Sequence, residues 1–352
     1  MAEHVFLHVG LPKTGTTYLQ SVLWANAEEL RGQGVLLPGT SARQHMHAAV
    51  VVRERGRAKR APSVSGSWAE LVREVRAWPG TALISHEFFG AASAEQAARC
   101  VADLGGASVS VIITARDLLA VVTSYWQEYV KHGLDVPLDE FPVGEDSGSE
   151  WSWDTVDIGS VLRRWSAAVP SEQIQILVLP DPEAPPETLL RDFCGIVGVD
   201  PASLSTERAR PYLSLGVVEA ELMRRIGPRL KTFANARDRG VWMRSYLAMG
   251  KLVPRGGERF SPSPERIAEL RERAAAGVEL IRKSEATVLG DLDRLLVPAT
   301  VAMRRHPDTV TDTELLESAV VTIADLLTDV RTLSERNTTL RQAASAPPVR
   351  RK

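Results

Sequence analysis

The sequence predicts an α/β fold, a three-layer parallel sheet with flanking helices, followed by a C-terminal helical extension. Strand-like apolar runs recur at 4–9, 81–86, 109–114 and 174–179. Helical stretches near 15–30, 93–104, 117–132 and 155–168 separate them, and strand–helix alternation of this kind specifies parallel strands with helices on both faces. Val109 to Thr114 (VSVIIT) is rich in β-branched residues, as suits a strand buried on both sides.

The first strand, His4 to Val9, runs into a Gly- and Thr-rich turn from Gly10 to Thr17 that opens a helix. This arrangement suits phosphate. Glycine lets the backbone approach an anion closely, the first helical turn presents unpaired amides, and Lys13 adds a point charge. Hydroxyls of Thr14, Thr16 and Thr17 are expected to complete the cradle around Gly15. In the Walker pattern the lysine follows the second glycine, whereas here Lys13 precedes Gly15, so PKTGTT is a different loop.

After that helix, the connection from Gly32 to about Ser67 is long for a compact α/β unit. It crowds Arg53, Arg55, Arg57, Lys59 and Arg60 together. The residues leave two readings open, a solvated basic loop or a lid with His45 and His47 as polar contacts. The next strand ends in ALISHEFFG, which brings His86 and Glu87 to the carboxyl edge of the sheet, where ligands of open α/β sheets gather. The third ends at Arg116. Asp117 is placed to cap the following helix, and Ser124 lies about two turns along it.

PKTGTT after the first strand resembles the 5′-phosphosulfate loop of sulfotransferases that use 3′-phosphoadenosine 5′-phosphosulfate (PAPS), whose pattern reads roughly P-K-[ST]-G-T-[ST]. Arg116, Asp117, Ser124 and Trp126 resemble that family's 3′-phosphate motif, an Arg at a strand end and a Ser eight residues on, with Tyr125 shifted one place from the aromatic position. The resemblance is dense in motifs from residue 4 to about 132 and only architectural from there to about 300. It implies a P-loop-like sulfotransferase fold and PAPS as co-substrate, with sulfuryl transfer by in-line displacement to a hydroxyl or amine of a small molecule or glycan. It assigns the donor to Lys13, Thr14, Gly15, Thr16, Thr17, Arg116 and Ser124, with Lys13 also stabilising charge on the phosphate oxygen being released. Ser85 and His86 resemble the Thr-His of cytosolic members, in which the His is the base. Glu87 is preferred over His86 as base because residues alternate along a strand, so that Glu87 shares a face with Ser85. Arg255, Gly256 and Gly257 are candidates for the loop that closes over the 3′-phosphate, although they depart from the family's R-K-G order.

Composition bounds the alternatives. At 352 residues with 44% hydrophobic content, the chain suits one α/β domain plus an appendage, expected here as 1–305, with 200–300 a mainly helical acceptor side. A net charge of −2 gives no general attraction to nucleic acid. A strand beginning at residue 4 leaves no room for a signal peptide, and no apolar run nears a membrane span, so a cytoplasmic protein is expected. Cys100 and Cys194 lack ligand spacing and read as free thiols, and no metal is expected.

From Thr311 a capping box with Glu314 starts a heptad pattern within 308–343, before a tail at 344–352 expected to be disordered. Leu316, Ile323, Val330 and Asn337 fall at a, and Ala319, Leu326, Leu333 and Leu340 at d. That pattern favours a parallel homodimer through 311–342. Leu315, Val320 and Leu327 equally support a helix folded back on its own domain. Two other functions fit parts of the sequence. A P-loop kinase would need a Walker lysine and a Mg²⁺-binding carboxylate, for which Asp117 alone is available. A non-catalytic nucleotide-binding scaffold dimerised through its C-terminal helix would have a vestigial pocket, and intact Lys13, Arg116 and Ser124 speak against such decay.

Overall fold

The computed structural model describes residues 1–54, 61–145, 149–207, 214–233 and 235–345. The chain forms two compact units. The first comprises Met1–Trp126, Leu138–Tyr212 and Pro262–Ala302, and the second Gln127–Pro137, Leu213–Ser261 and Met303–Lys352.

Along the chain come β1 (His4–Gly10), α1 (Thr16–Ala25), α2 (Ala27–Gly32), β2 (Val35–Leu36), α3 (Ala42–Val52), α4 (Pro62–Ser65), α5 (Ser67–Ala77) and β3 (Thr81–Ser85). After them come α6 (Ala94–Asp103), β4 (Ser108–Ala115), α7 (Leu118–Lys131), α8 (Trp153–Val156), α9 (Ile158–Ser166), β5 (Ile174–Val178) and α10 (Thr188–Val197). The remainder is α11 (Val217–Ile226), α12 (Ala236–Asp238), α13 (Pro264–Arg282), β6 (Thr287–Leu289) and α14 (Asp312–Ser345).

The first unit holds a six-stranded parallel sheet in the order β2-β3-β1-β4-β5-β6. Strand alternation divides its core in two. Val5, Leu7 and Val9 of β1 join one cluster with Leu71, Val75, Val161 and Trp165, whereas Phe6 joins another with Leu19, Leu23, Leu190 and Phe193. Helices therefore cover both faces, as the alternation predicted. β1 lies between β3 and β4, so the chain leaves β1 toward one side of the sheet and later resumes on the other. Such a reversal opens a crevice at the carboxyl ends of the central strands.

Four expectations are corrected here. β2 and β6, two and three residues long, were not foreseen, being too short for periodicity to register. The segment 32–67 is not one long loop over its described part, because β2, α3 and α4 fill much of it. His45 lies fully buried on α3, donating Nε2–H to the Pro38 carbonyl at 2.7 Å and accepting the Ser85 amide on Nδ1 at 3.1 Å, so it ties α3 to the end of β3 and is no lid contact. Arg55, Arg57, Lys59 and Arg60 lie outside the described residues. Of the expected tail, Ala344 and Ser345 still belong to α14, and 346–352 lie outside the described residues.

In the second unit, α11 carries the fully buried Glu221, whose charge is met by Arg224 at 2.7 Å and Arg225 at 2.8 Å. A π-helical stretch, Arg239–Leu252, contributes Met243, Leu247 and Leu252 to its interior. The capping box that opens α14 is formed: Glu314 accepts the Thr311 amide at 2.9 Å, and the Thr311 hydroxyl accepts the Glu314 amide at 3.3 Å. α14 then uses one face on its own unit. Leu315 and Thr322 are buried, Asp325 pairs with Arg255 at 2.8 Å, and Asp329 takes Lys251 at 2.7 Å and Tyr246 at 2.5 Å. Leu316, Ile323 and Val330 remain 55–65% exposed. The helix is thus both folded back and apolar on its free side, two arrangements that the heptad pattern presents as alternatives. No described helix is long and apolar enough to cross a membrane.

Candidate functional site

The turn after β1 has the conformation that its glycines allow. Gly10 (φ 92°), Lys13 (φ 65°) and Gly15 (φ 80°) all adopt the left-handed region, where an L-residue such as Lys13 sits only if its surroundings hold it there. The surroundings are specific. A Cβ on Gly10 would come within 2.7 Å of the Glu87 Cβ, so glycine there lets Glu87 sit directly against the loop. The Leu11 amide donates to the Thr114 carbonyl at 2.6 Å, tying the loop to the end of β4. Gly15 is the N-cap of α1, which has neither a capping side chain nor an acidic residue in its first turn. The positive end of its dipole is left for an external anion.

Arg116 follows β4 directly and donates from Nη1 to the Lys13 carbonyl at 3.5 Å, so the two motifs meet in space. Asp117 caps α7 as the sequence predicted, accepting the Ala120 amide at 2.8 Å, and its other oxygen lies 3.7 Å from Arg116 Nε. Ser124 is half-buried on α7. A cleft of about 830 Å³ opens beside Asp117, with Arg271, Arg294 and Val297 among its lining residues.

Thr14 departs from expectation. Its side chain is fully buried, and its hydroxyl donates to the Leu11 carbonyl and contacts the Thr114 hydroxyl at 2.6 Å. It shapes the loop from beneath instead of lining it with a hydroxyl. Thr16 is buried and Thr17 exposed in the first turn of α1. Arg255, expected in a closing loop, bonds to Thr322 at 3.0 Å as well as to Asp325, within its own unit.

Glu87 and His86 stand where the sequence put them, but strand alternation is not the reason. β3 ends at Ser85, and Glu87 begins a short 3₁₀ turn to Ala91. Glu87 nevertheless shares a partner with Ser85: the Gln20 amide lies 3.2 Å from Glu87 Oε2 and 3.5 Å from Ser85 Oγ. Burial opposes its charge, yet His86, its own backbone amide, Gln20 and His8 together hold its carboxyl below the usual range. His86 is lowered by burial, partly offset by Glu87. Its Nδ1 accepts the Phe88 amide at 3.1 Å, so the proton of the neutral ring is on Nε2 and no ring lone pair is left over.

Behind these groups lies His8, which the sequence reading passed over as part of an apolar strand. It is fully buried, with Nδ1 2.8 Å from Ser85 Oγ and Nε2 3.1 Å from Thr114 Oγ1. The available signal was a polar histidine on the Phe6 face of an otherwise apolar β1, flanked in the sheet by β3, which ends at Ser85, and β4, which carries Thr114. Cys100 and Cys194 are buried free thiols, with burial pushing the Cys194 thiol up to about 11. The described residues contain no group of three or more His, Cys, Asp or Glu able to hold a metal ion.

The sequence matches no known protein family and no characterised protein. Among solved structures, the chain is similar to the crystal structure of a sulfotransferase from Alicyclobacillus acidocaldarius, at 14% identity and a TM-score of 0.43. That alignment covers 80% of this chain and 94% of the other.

Proposed function

We propose that this protein is a sulfotransferase that takes a sulfuryl group from PAPS and transfers it to a hydroxyl or amine of a small-molecule or glycan acceptor. The observation that carries this reading is the meeting of two anion-binding motifs, the Lys13 loop and Arg116, at the carboxyl edge of the sheet. The residues present fit the donor. The glycine-permitted turn and the uncapped start of α1 suit its 5′ end, and Arg116 with Ser124 suit a second phosphate. When bound, PAPS supplies a sulfuryl group whose S–O bond to phosphate breaks as a bond to the acceptor forms.

Lys13 and the loop amides stabilise negative charge at the 5′ end, which is greatest when that bond is breaking. Glu87, ionised and packed on the loop, takes the acceptor's proton. His86 is less suited to that task while Nδ1 is committed to Phe88.

Calorimetry tests the reading. The protein should bind adenosine 3′,5′-bisphosphate at least about 100-fold more tightly than Mg·ATP, the reverse ranking identifying a kinase. Arg116→Ala should weaken the bisphosphate by about 10- to 100-fold, the range for a charge-assisted hydrogen bond. Unchanged affinity would move the 3′-phosphate site elsewhere.

Assembly is the second part of the proposal. Leu316, Val320, Ile323, Leu327, Val330, Leu333 and Leu340 are each more than half exposed along the free side of α14, a self-complementary stripe that a second copy would cover. Beyond Val330 every residue to Gln342 is exposed, and a helical end without packing is marginal on its own. Its first half combines a positions with Val320 and Leu327, because Ala319 and Leu326 turn partly toward their own unit, and the d positions Leu333 and Leu340 join it further on. Truncation after Pro307 would therefore remove the buried Leu315 and Thr322 and leave Arg255 and Lys251 without Asp325 and Asp329, at a cost in stability, whereas truncation after Val330 should shift a dimer toward monomer while leaving the fold intact. Light scattering at tens of micromolar checks this, and a monomeric full-length protein would sink it.

A further inference from the structure

The buried polar groups behind the site form one chain, and its ends determine every proton in it. The Leu11 carbonyl only accepts, so the Thr14 hydroxyl donates to it. Thr14 Oγ1 must then accept from Thr114 across 2.6 Å, which leaves Thr114 Oγ1 to accept from His8 Nε2–H at 3.1 Å. His8, neutral, accepts from the Ser85 hydroxyl on Nδ1 at 2.8 Å. At the other end the Glu87 carboxylate only accepts, so the Gln20 amide group faces it at 3.2 Å and offers its second proton to Ser85 Oγ at 3.5 Å. The opposite His8 tautomer would require Thr114 to donate to Nε2, leaving two hydroxyl oxygens 2.6 Å apart with no proton between them.

We propose that His8 is a positioning residue that couples the Glu87 arm to the phosphate loop through this one-way hydrogen-bond chain. The inference rests on the sulfotransferase reading for its purpose, since the groups coupled are the acceptor's base and the donor's cradle. The chain itself rests only on geometry. His8 lies between the two central neighbours of β1, paired with Ser85 on one side and Ile112 on the other, and its ring is hydrogen-bonded toward the loop through Thr114 and Thr14. Burial agrees, lowering its pKa to about 4 and keeping the ring neutral at physiological pH. A neutral ring with one donor and one acceptor nitrogen can join two hydroxyls only in one sense, which fixes the rotamers of Ser85 and Thr114 together. The positions of Glu87 and Thr14 then depend on each other.

Two measurements on the full-length protein test this. Long-range ¹⁵N–¹H spectra, with His8 assigned by loss of its signals in His8→Asn, should show protonated Nε2, bare Nδ1 and no titration from neutral pH down to about pH 5. The other tautomer, or a midpoint near the ordinary histidine value, overturns the proposal. Hydrogen exchange of the 11–14 amides should quicken about tenfold in Ser85→Ala, because the chain transmits the loss through His8, Thr114 and Thr14 to the loop. Ser110→Ala is the control: it removes an equally buried strand hydroxyl, bonded to Gln173 at 2.7 Å, and should leave the loop unchanged. Unaltered exchange in Ser85→Ala, or equal quickening in both variants, overturns the coupling. Failure to bind adenosine 3′,5′-bisphosphate would instead remove the sulfotransferase reading, and the spectra and exchange would still decide the chain.

Discussion

Lys13→Ala should lower turnover by about two to three orders of magnitude while changing affinity for adenosine 3′,5′-bisphosphate by less than about fivefold, because its charge matters most for the charge that develops as the donor bond breaks. The Lys13 carbonyl is met by Arg116 and the Leu11 amide by the Thr114 carbonyl, so the loop's shape has supports on its backbone. Steady-state kinetics with a sulfate acceptor, paired with calorimetry, separates the two quantities. Turnover at the wild-type level would remove Lys13 from the chemistry, and affinity lost in step with turnover would make it a binding residue only.

Glu87→Gln should cost about 100-fold or more in turnover, the lower range for a general base, with cofactor affinity nearly unchanged. The substitution keeps shape and keeps an oxygen for Gln20 while removing the ability to take a proton. His86→Asn is the matched control and should be much milder. The pH profile gives a second check. Glu87 is held below its ordinary 4.5, so the acid limb of activity should lie below that value, since a carboxylate base works only when ionised. An acid limb above 4.5 and below 6.5, together with an inactive His86→Asn, would transfer the role to His86. Stability changes in the same window. His8 and His45, both lowered to about 4 by burial, bind protons in the unfolded chain first, so their contribution is complete above pH 6.5 and is lost as pH falls toward 4.

Much of the site was legible because its parts are local. A strand, a Gly-rich turn and a helix start are contiguous in the chain, so HVFLHVGLPKTGTT directly displays the turn proposed to hold phosphate, and Asp117, next to Arg116, marks the cap of the following helix. The capping box of α14 was legible for the same reason, as Thr311 and Glu314 are three residues apart. Thr14 was misread because its hydroxyl direction depends on Thr114, a hundred residues away. The strand-alternation argument for Glu87 does not hold, since β3 ends at Ser85 and Gln20 of α1 is what Glu87 and Ser85 share.

The sequence by itself determined the class of fold, the four longer strands of the sheet and the two helix caps at Asp117 and Thr311, since each depends on periodicity or on neighbours within a turn or two. Only the tertiary structure decided which groups face each other across strands: His8 between Ser85 and Thr114, His45 under Ser85, and α14 turned so that Leu315 and Thr322 are covered while Leu316 and Ile323 are not. Pairing across a parallel sheet joins residues 77 and 106 positions apart, and no local pattern carries that register. The facing of a long helix is likewise set by what its own unit offers, here Arg255, Lys251 and Tyr246 to Asp325 and Asp329, against a heptad pattern that would serve either side.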